Sequence, residues 1–255
     1  MLPIVILTIT MGGPFLFAAF LGAVSAIATY EFYRMALPDR RLELSFASLC
    51  SVLVVIIPLY EINLSFLSIV IGCLFSLFLL FLFRIRDITN TAREVSYAIL
   101  GFIYIPVLLA HLVMLRQTVY GIQWLLVIML IVMTNDSLAF YSGKTFGKHR
   151  LYPLVSPKKT IEGAAGGLVG SIIGAALAKY TFFPQLSAFD VVFTAIFIGI
   201  IGQIGDLFES MLKRGFGVKD SGGIMPGHGG ILDRMDSIIF AAPATYYYVI
   251  YCFKG

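Results

Sequence analysis

Long apolar runs separated by short polar segments dominate the pattern of this chain. Eight of the runs are each about 20 residues long, and a helix of that length, rising about 1.5 Å per residue, crosses about 30 Å of hydrocarbon. They cover residues 13–35, 44–60, 63–83, 95–115, 119–141, 161–180, 187–208 and 231–253. The pattern therefore predicts an all-α, polytopic integral membrane protein.

A further apolar segment at residues 1–10 is shorter and is followed by Gly12 and Gly13. It predicts a short first helix, so the total becomes eight or nine transmembrane helices. The segment has neither a basic n-region nor a small-residue cleavage site, so we expect no removable signal peptide. Residues 1–255 are expected to form one domain, in which residues 1–130 supply mainly N-terminal membrane helices and residues 131–255 the candidate catalytic helices and loops.

Composition and charge agree with this architecture and add an orientation. The chain is 59% hydrophobic and only 13% charged, whereas a soluble surface alone needs about 25–35% charged residues. Eight spans divide the connections into two alternating sets, and 15 of the 18 Lys and Arg residues fall in one of them. Because short loops rich in Lys and Arg stay in the cytoplasm, we expect that set to be cytoplasmic and the C-terminus to lie on the opposite side.

Acidic residues at the ends of the apolar runs are the first candidates for chemistry. Asp206 lies near the cytoplasmic end of one run, and Asp233 and Asp236 open the last run. An ionised carboxylate at membrane depth costs about 2.5 kcal/mol or more, so we expect it to be paired or bound to a cation. If two antiparallel helices bring Asp206 and Asp233 together, their oxygens suit Mg²⁺ better than zinc. The alternative is that these aspartates cap helices or pair with Arg214 and Arg234.

A stretch rich in glycine and basic residues connects these two runs. Lys213, Arg214 and Lys219 are flanked by glycines, which allow the backbone to approach a ligand closely. Such cations and exposed N–H groups favour a polyphosphate ligand. A basic patch that sets topology or binds lipid headgroups is the alternative. His228, in PGHGG, is a candidate for contacting phosphate or transferring a proton, with a structural role as its alternative.

A second polar segment repeats this chemistry. Candidate residues lie at the end of one span and around the start of the next: Asn135, Asp136, Ser156, Lys158, Lys159, Thr160 and Glu162. Because Lys158 and Lys159 lie where a helix is predicted to begin, its N-terminal N–H groups are expected to receive the same anion. The GKTFGK stretch lacks the spacing of a P-loop. The glycines of GAAGGLVGS predict a close helix-packing face.

The stretch from Ser210 to Asp236 resembles the signature of phosphatidate cytidylyltransferases, also called CDP-diacylglycerol synthases. The matching residues are Ser210, Lys213, Arg214, Lys219, Asp220, Gly222, Pro226, His228, Gly229, Gly230, Asp233, Arg234 and Asp236. The preceding SPKKTIEG, with the residues that follow Asn135, looks like the other cytoplasmic loop of that family. The first helix departs from the family's pattern, because it is shorter than usual.

The resemblance implies an enzyme of phospholipid biosynthesis that converts CTP and phosphatidate into CDP-diacylglycerol and pyrophosphate. It further implies a requirement for Mg²⁺, a centre that can include a monovalent cation such as K⁺, and a homodimer in a bacterial-type cell membrane. Metal ligands are then expected at Asp206 and Asp233. Catalytic roles are expected for Lys213, Arg214, Lys219, Asp220, His228 and Asp236. Substrate binding is expected at Asn135, Asp136, Ser156, Lys158, Lys159, Thr160, Glu162, Ser210 and Arg234.

Other functions are distinguishable from this one. A polyprenol kinase would transfer the γ-phosphate and release CDP, and a related synthase would take an ether-linked lipid phosphate. A transporter commonly has broken helices at mid-membrane and repeated halves, whereas here the polar residues cluster at the cytoplasmic ends of the runs and no repeat is visible. A lipid-binding scaffold would show no metal-dependent turnover. No nucleic-acid partner is expected.

Overall fold

The computed structural model describes residues 2–60, 63–223 and 229–254, and most of these residues are helical. The α-helices are α1 (Leu2–Thr10), α2 (Pro14–Ala36), α3 (Arg41–Ile56), α4 (Asn63–Phe83), α5 (Ile88–Phe102), α6 (Leu108–Arg116), α7 (Gly121–Phe146), α8 (Ile161–Thr181), α9 (Ala188–Gly215) and α10 (Leu232–Tyr251). A 3₁₀ turn, Ile57–Tyr60, follows α3, and a π turn, Ile103–Val107, joins α5 to α6 around Pro106.

Seven helices in the described ranges are long and apolar enough to cross a membrane. They are Pro14–Ala36, Arg41–Tyr60, Phe66–Phe83, Ile88–Arg116, Gly121–Phe146, Ile161–Thr181 and Ala188–Gly215. Helix α10 forms at the eighth predicted run but is not one of the seven, and Asp233, Arg234 and Asp236 occupy its first turns. Helix α1 is short, as predicted. The prediction of an all-α polytopic membrane protein is confirmed.

Several helices extend beyond the apolar runs, because local polar contacts as well as hydrophobicity set their ends. Helix α5 begins at Ile88 rather than near residue 95, since the Asp87 side chain accepts a hydrogen bond from the Thr89 N–H at 3.0 Å. Helix α9 continues to Gly215, so Lys213 and Arg214 lie in its last turn. Basic residues there interact favourably with the C-terminal end of the helix dipole.

A short β-hairpin is the element that the hydrophobic pattern did not predict. Strand β1 (Arg150–Tyr152) pairs antiparallel with β2 (Ser156–Thr160), with Arg150 opposite Thr160 and Tyr152 opposite Ser156. Strands this short give no recognisable alternation of polar and apolar residues. The segment predicted as a loop between α7 and α8 is therefore partly a hairpin, and Lys158 and Lys159 lie on its second strand.

The chain divides into two compact units. Unit 1 comprises Met1–Gln117 with Phe216–Met235, and unit 2 comprises Thr118–Gly215 with Asp236–Gly255. The division reflects how closely residues pack within each unit. The expectation that residues 1–255 form one domain stays a prediction.

A buried ion cluster organises the polar ends of the helices in unit 1. Arg40 is 1% exposed and donates hydrogen bonds to Glu43 Oε1 at 3.2 Å and to Glu94 Oε2 at 2.5 Å. Its guanidinium also donates to the Arg84 carbonyl oxygen at 2.6 Å. A buried charge is tolerated only with such partners. Arg40, a topology signal in the sequence, therefore also joins the α2–α3 connection to the α4–α5 connection.

Glycines set the packing of α7 against α8 in unit 2. A Cβ atom at Gly170 would lie 2.3 Å from the Thr134 carbonyl oxygen, and one at Gly166 would lie 2.1 Å from Ser142 Oγ. Both distances are too short for a side chain, so these two glycines allow the close approach of the two helices. This confirms the close helix-packing face predicted from GAAGGLVGS.

Candidate functional site

A cavity of about 480 Å³ opens in unit 2 between the hairpin and the polar ends of α7, α8 and α9. Its polar lining comes from residues of all these elements: Asn135, Asp136, Lys144, Arg150, Lys158, Lys159, Thr160, Gln203 and Asp206. Four of these side chains are basic and two are acidic. A cavity with this lining suits an anionic ligand and retains carboxylates for a cation.

Asp206 and Lys159 form an ion pair within this cavity. Lys159 Nζ lies 2.5 Å from Asp206 Oδ2, and the two side chains are 29% and 32% exposed. The sequence had suggested Arg214 as one alternative partner for these acids, and Lys159 was expected only to bind substrate. The pair brings a predicted metal ligand and a predicted phosphate-binding cation to one point of the cavity wall.

The N-terminus of α8 also opens onto the cavity. Thr160 caps this helix, because its hydroxyl accepts a hydrogen bond from the Gly163 N–H at 3.1 Å. Lys158 and Lys159 precede it directly on β2. The predicted arrangement of two lysines at a helix start is confirmed, and it places cationic side chains beside a partly positive helix end. Ser156 lies at the other end of β2 and is half-buried.

Glu162 attaches the start of the hairpin segment to α8. Its carboxylate accepts hydrogen bonds from the Lys148 N–H at 3.1 Å and the His149 N–H at 3.2 Å. Glu162 Oε1 also lies 2.7 Å from His149 Nδ1. The pairing of His149 with Glu162 is not apparent from the sequence. Glu162 therefore braces the segment that carries the lysines, and its direct contact with substrate stays a prediction.

A polar network lies against the cavity among α7, α8 and α9. Asn135 is buried, donates to Ser171 Oγ at 2.8 Å, and accepts a hydrogen bond from Gln203 Nε2 at 3.2 Å. Gln203 also donates to the Ala164 carbonyl oxygen at 3.0 Å. Sequence reasoning missed Ser171 and Gln203. The available signal was a lone amide and a lone hydroxyl inside apolar runs, where polar groups need partners.

Several carboxylates of unit 2 lie near one another, and some of them are outside the cavity lining. Asp236 interacts electrostatically with Asp206, Glu209 and Asp136. Glu209 is 1% exposed and lies 2.5 Å from Lys213 Nζ. Glu209 was missed, although it lies one helical turn from Asp206. The predicted catalytic residues Lys213 and Asp236 thus belong to one charged region of unit 2.

Two further predicted residues of α9 lie beside this region. Ser210 is half-buried and Arg214 is exposed. Both lie near the C-terminal end of α9, on the helical extension described above.

The signature loop, defined here as residues 216–223 and 229–231, belongs to unit 1. Its structure depends on Asp233, whose carboxylate accepts hydrogen bonds from the Gly230 N–H at 2.7 Å and the Ser221 N–H at 3.0 Å. Gly229 has a φ of 80°, a conformation that favours glycine. The Asp233 carboxylate therefore joins two parts of the signature loop just before α10, and its role as a metal ligand stays a prediction.

The other predicted residues of the signature are either exposed or outside the described residues. Lys219, Asp220 and Arg234 are exposed in unit 1. His228 and Pro226 lie outside the described residues. The catalytic roles expected for Lys219, Asp220 and His228, and substrate binding by Arg234, stay predictions.

The donor set fits Mg²⁺ in its chemistry. Across residues 2–60, 63–223 and 229–254, no three His, Cys, Asp or Glu side chains converge as a ready-made metal site. Mg²⁺ commonly uses one or two carboxylates and completes its octahedron with water and substrate phosphates. The oxygens of Asp136, Asp206 and Asp236 have that chemistry in unit 2. The residues present therefore fit a metal that arrives with a phosphate ligand, and the ligand roles of Asp206 and Asp233 stay predictions.

Comparisons with known proteins agree with the resemblance. Two relatives are each named phosphatidate cytidylyltransferase. The one from Bacillus subtilis (strain 168) is 39% identical over 160 residues, which cover 62% of this chain and 60% of that protein. The one from Staphylococcus haemolyticus (strain JCSC1435) is 40% identical over 161 residues, which cover 63% of this chain and 58% of that protein. The match thus spans about three fifths of each relative's length. Residues 1–252 match the model of the Cytidylyltransferase family, and the chain belongs to that family.

Proposed function

We propose that this protein transfers a cytidylyl group from CTP to phosphatidate, giving CDP-diacylglycerol and pyrophosphate. The cavity of unit 2 carries the proposal, because it combines Lys158, Lys159 and Arg150 with Asp206 at the polar ends of membrane-spanning helices. The names of the relatives support the choice of phosphatidate and CTP as substrates.

The position of the cavity suits the two substrates. Phosphatidate keeps its acyl chains in the bilayer while its phosphate remains at the interface, and CTP is water-soluble. A cavity at the ends of apolar helices is accessible to both, whereas a site at mid-membrane or far out in solvent would favour one of them. For the same reason, CDP-diacylglycerol would remain in the membrane as the lipid product, and pyrophosphate would be released into the water.

The reaction is a nucleophilic substitution at phosphorus. A phosphate oxygen of phosphatidate forms a bond to the α-phosphorus of CTP, and the bond from that phosphorus to the oxygen bridging to the β-phosphorus breaks. Both reactants are anions, so their mutual repulsion opposes the approach. Lys158, Lys159 and Arg150 would neutralise phosphate charge, and the α8 N-terminus would add backbone N–H donors. Holding the attacking oxygen, the α-phosphorus and the leaving oxygen in line would lower the activation barrier further.

Mg²⁺ is the cofactor that we propose, with Asp206 and Asp233 as the ligands that the resemblance implies. When bound, it would neutralise triphosphate charge and the charge of the leaving pyrophosphate. The contribution of Asp206 itself is to hold Lys159, which lies 2.5 Å away, at the cavity wall. A second, monovalent cation such as K⁺ rests on the resemblance alone.

The function is tested with purified protein, Mg²⁺, phosphatidate and CTP labelled at the α-phosphate. We expect label in a lipid that co-migrates with CDP-diacylglycerol, with pyrophosphate released in equal amount. Label remaining in free CDP would indicate a polyprenol kinase and would contradict the proposal. A parallel reaction with an ether-linked lipid phosphate separates the related synthase, because that substrate would then be preferred over phosphatidate.

We also propose a cytoplasmic active site, a C-terminus on the opposite side of a bacterial cell membrane, and a homodimer. The orientation is supported by the 15 of 18 Lys and Arg residues that fall in one set of connections. The bacterial membrane is supported by the source of the relatives. The homodimer rests on the resemblance.

Cysteine labelling tests the orientation. Cys252, near the C-terminus, is exposed, whereas Cys50 and Cys73 are buried. In intact cells we expect a membrane-impermeant maleimide to label Cys252. A cysteine replacing the exposed Lys219, in a Cys252→Ser background, should react only after the membrane is opened. Labelling of both positions from the same side would contradict the proposed orientation.

A further inference from the structure

Glu31 is an acidic side chain of α2 that the proposed reaction leaves unused. It belongs to unit 1 and is 2% exposed. A carboxylate withdrawn from solvent in an apolar helix is costly unless it accepts hydrogen bonds or meets a cation. The partners of Glu31 therefore indicate what it does.

Those partners are the end of the signature loop and the start of α10. The Ser221 hydroxyl lies 3.2 Å from Glu31 Oε2, and the Leu232 N–H donates to the same oxygen at 2.9 Å. Leu232 is the first residue of α10, where a backbone N–H has no partner inside the helix and a carboxylate is favoured by the helix dipole. One buried carboxylate thus joins α2 to both segments.

Gly222 and Gly230 of the signature have no side chain, and the Glu31 carboxylate occupies the space that a side chain would need. A Cβ atom at Gly222 would lie 2.3 Å from Glu31 Oε1. A Cβ atom at Gly230 would lie 2.6 Å from Glu31 Oε2 and 2.1 Å from Ser221 Oγ. Any other residue would displace Glu31 or the loop backbone. Glycine at these two positions is therefore explained by the close approach of Glu31.

Ser221 couples Glu31 to Asp233. Its hydroxyl lies 3.0 Å from Asp233 Oδ2 as well as 3.2 Å from Glu31 Oε2. A hydroxyl has one hydrogen, so it can donate to only one of the two carboxylates at a time. Glu31 Oε1 is buried without a hydrogen-bond partner among the described residues. Changes at Glu31 are thus transmitted to a residue of the signature itself.

The residue after Glu31 fixes the beginning of the same loop. Phe32 packs edge-on against Phe216, with ring centroids 5.7 Å apart. The Phe216 ring also packs edge-on against Tyr97 of α5, with ring centroids 5.2 Å apart. Consecutive residues of α2 therefore hold the loop at Phe216 and at Ser221, on either side of Lys219 and Asp220.

We propose that Glu31 is a positioning residue for the cytidylyl transfer. Its carboxylate fixes the signature loop and the start of α10, and thereby the placement of Asp233, Lys219 and Asp220. The inference rests on the proposed function for its kinetic consequence. Its structural consequence, an ordered loop, is measurable without any reaction.

The kinetic test compares three variants by kcat/KM per folded molecule. Glu31→Gln keeps the shape and removes the charge, and we expect a loss of about tenfold or more, because small misplacements of reacting groups are costly. Glu31→Asp should lose less than Glu31→Gln. Glu43→Gln, a change at a buried glutamate of α3 in the same unit, loses the ion pair with Arg40 and should lower the thermal midpoint, but it should leave kcat/KM per folded molecule unchanged. A Glu31→Gln variant within twofold of the wild type, or an equal loss in Glu43→Gln, would overturn the proposal.

A double-mutant cycle tests the close approach of Glu31 to Gly222. Gly222→Ala should lower kcat/KM by about tenfold or more in the wild type but by less than about twofold in a Glu31→Ala background, since the clashing carboxylate is then absent. The same loss in both backgrounds would overturn the proposal.

Hydrogen exchange separates the two proposals. Peptides covering residues 216–223 should exchange faster in Glu31→Gln, while peptides from α7 should not change. A wild-type protein that forms no CDP-lipid would defeat the proposed function alone. Unchanged exchange in residues 216–223 would defeat the positioning role alone.

Discussion

Replacing Asp206 with asparagine is expected to lower cytidylyl transfer by at least about two orders of magnitude, the size of effect typical for a group that organises charge in the transition state. The amide keeps the shape of the side chain but loses the negative charge that both Lys159 and a metal require. Folding should be intact, because an ion pair with both members about 30% exposed contributes at most about 1 kcal/mol. Turnover is measured over a range of Mg²⁺ concentrations, together with the midpoint of thermal unfolding.

Asp39→Asn is the matched control for Asp206→Asn. Asp39 is exposed in the connection between α2 and α3, so the same chemical change there should alter neither turnover nor its dependence on Mg²⁺. If Asp206→Asn turned over at nearly the wild-type rate at ordinary Mg²⁺, Asp206 would be removed from the metal site. A similar loss in both variants would point to a general effect of charge.

Asp233→Asn is expected to abolish turnover too, but it is less informative about metal binding. The Asp233 carboxylate accepts hydrogen bonds from Gly230 and Ser221. An amide oxygen can still accept some of them, while its nitrogen would face backbone N–H donors. Loss of activity would therefore follow from a misplaced loop as readily as from a lost ligand. Asp206 is the sharper test of the two.

The helical architecture could be predicted because membrane helices follow from one strong signal. A run of about 20 apolar residues has few alternatives in a bilayer, since its backbone groups must bond within the segment. Helix ends were less predictable, because they depend on single polar residues. Asp87 starts α5 at Ile88, and the last turns of α9, which hold Ser210, Lys213 and Arg214, extend beyond the apolar run that ends near residue 208.

The site could be predicted in its residue types but only partly in its contacts. Lys158, Lys159 and Asp206 were expected at one membrane face, and they line one cavity. That Lys159 would pair with Asp206 depends on the hairpin, whose strands are too short to leave a periodic pattern. Hydrophobic pattern therefore locates the charged segments, while their pairing requires the fold.

The position of Glu31 in the sequence already marks it as a candidate functional residue. It is an acidic residue within the predicted span 13–35, and an ionisable residue inside a span is a functional candidate by default. Glu31 is not among the predicted site residues. Its partners, Ser221 and Leu232, lie far away in the chain, so the signal indicated importance but not the role.

Replacing Lys213 with glutamine should lower turnover by more than about tenfold, because a cation that neutralises phosphate charge typically contributes a few kcal/mol. The structure adds a second effect. Lys213 Nζ lies 2.5 Å from the buried Glu209 carboxylate, and removing one partner of a buried pair costs about 3–5 kcal/mol of stability. Lys213→Gln should therefore also lower the thermal midpoint, whereas Arg214→Gln, at an exposed position, should lower turnover with little change in stability.

The double variant Lys213→Gln, Glu209→Gln separates the two effects of Lys213. It removes both charges, so the thermal midpoint should return toward the wild-type value. If Lys213 acts on phosphate, turnover per folded molecule should remain more than about tenfold low. If Lys213 serves only to neutralise Glu209, turnover should recover together with stability, and the catalytic role would be refuted. Rates measured with CTP and phosphatidate varied separately would then identify which substrate's phosphate the lysine contacts, since its loss should raise the KM of that substrate more than the KM of the other.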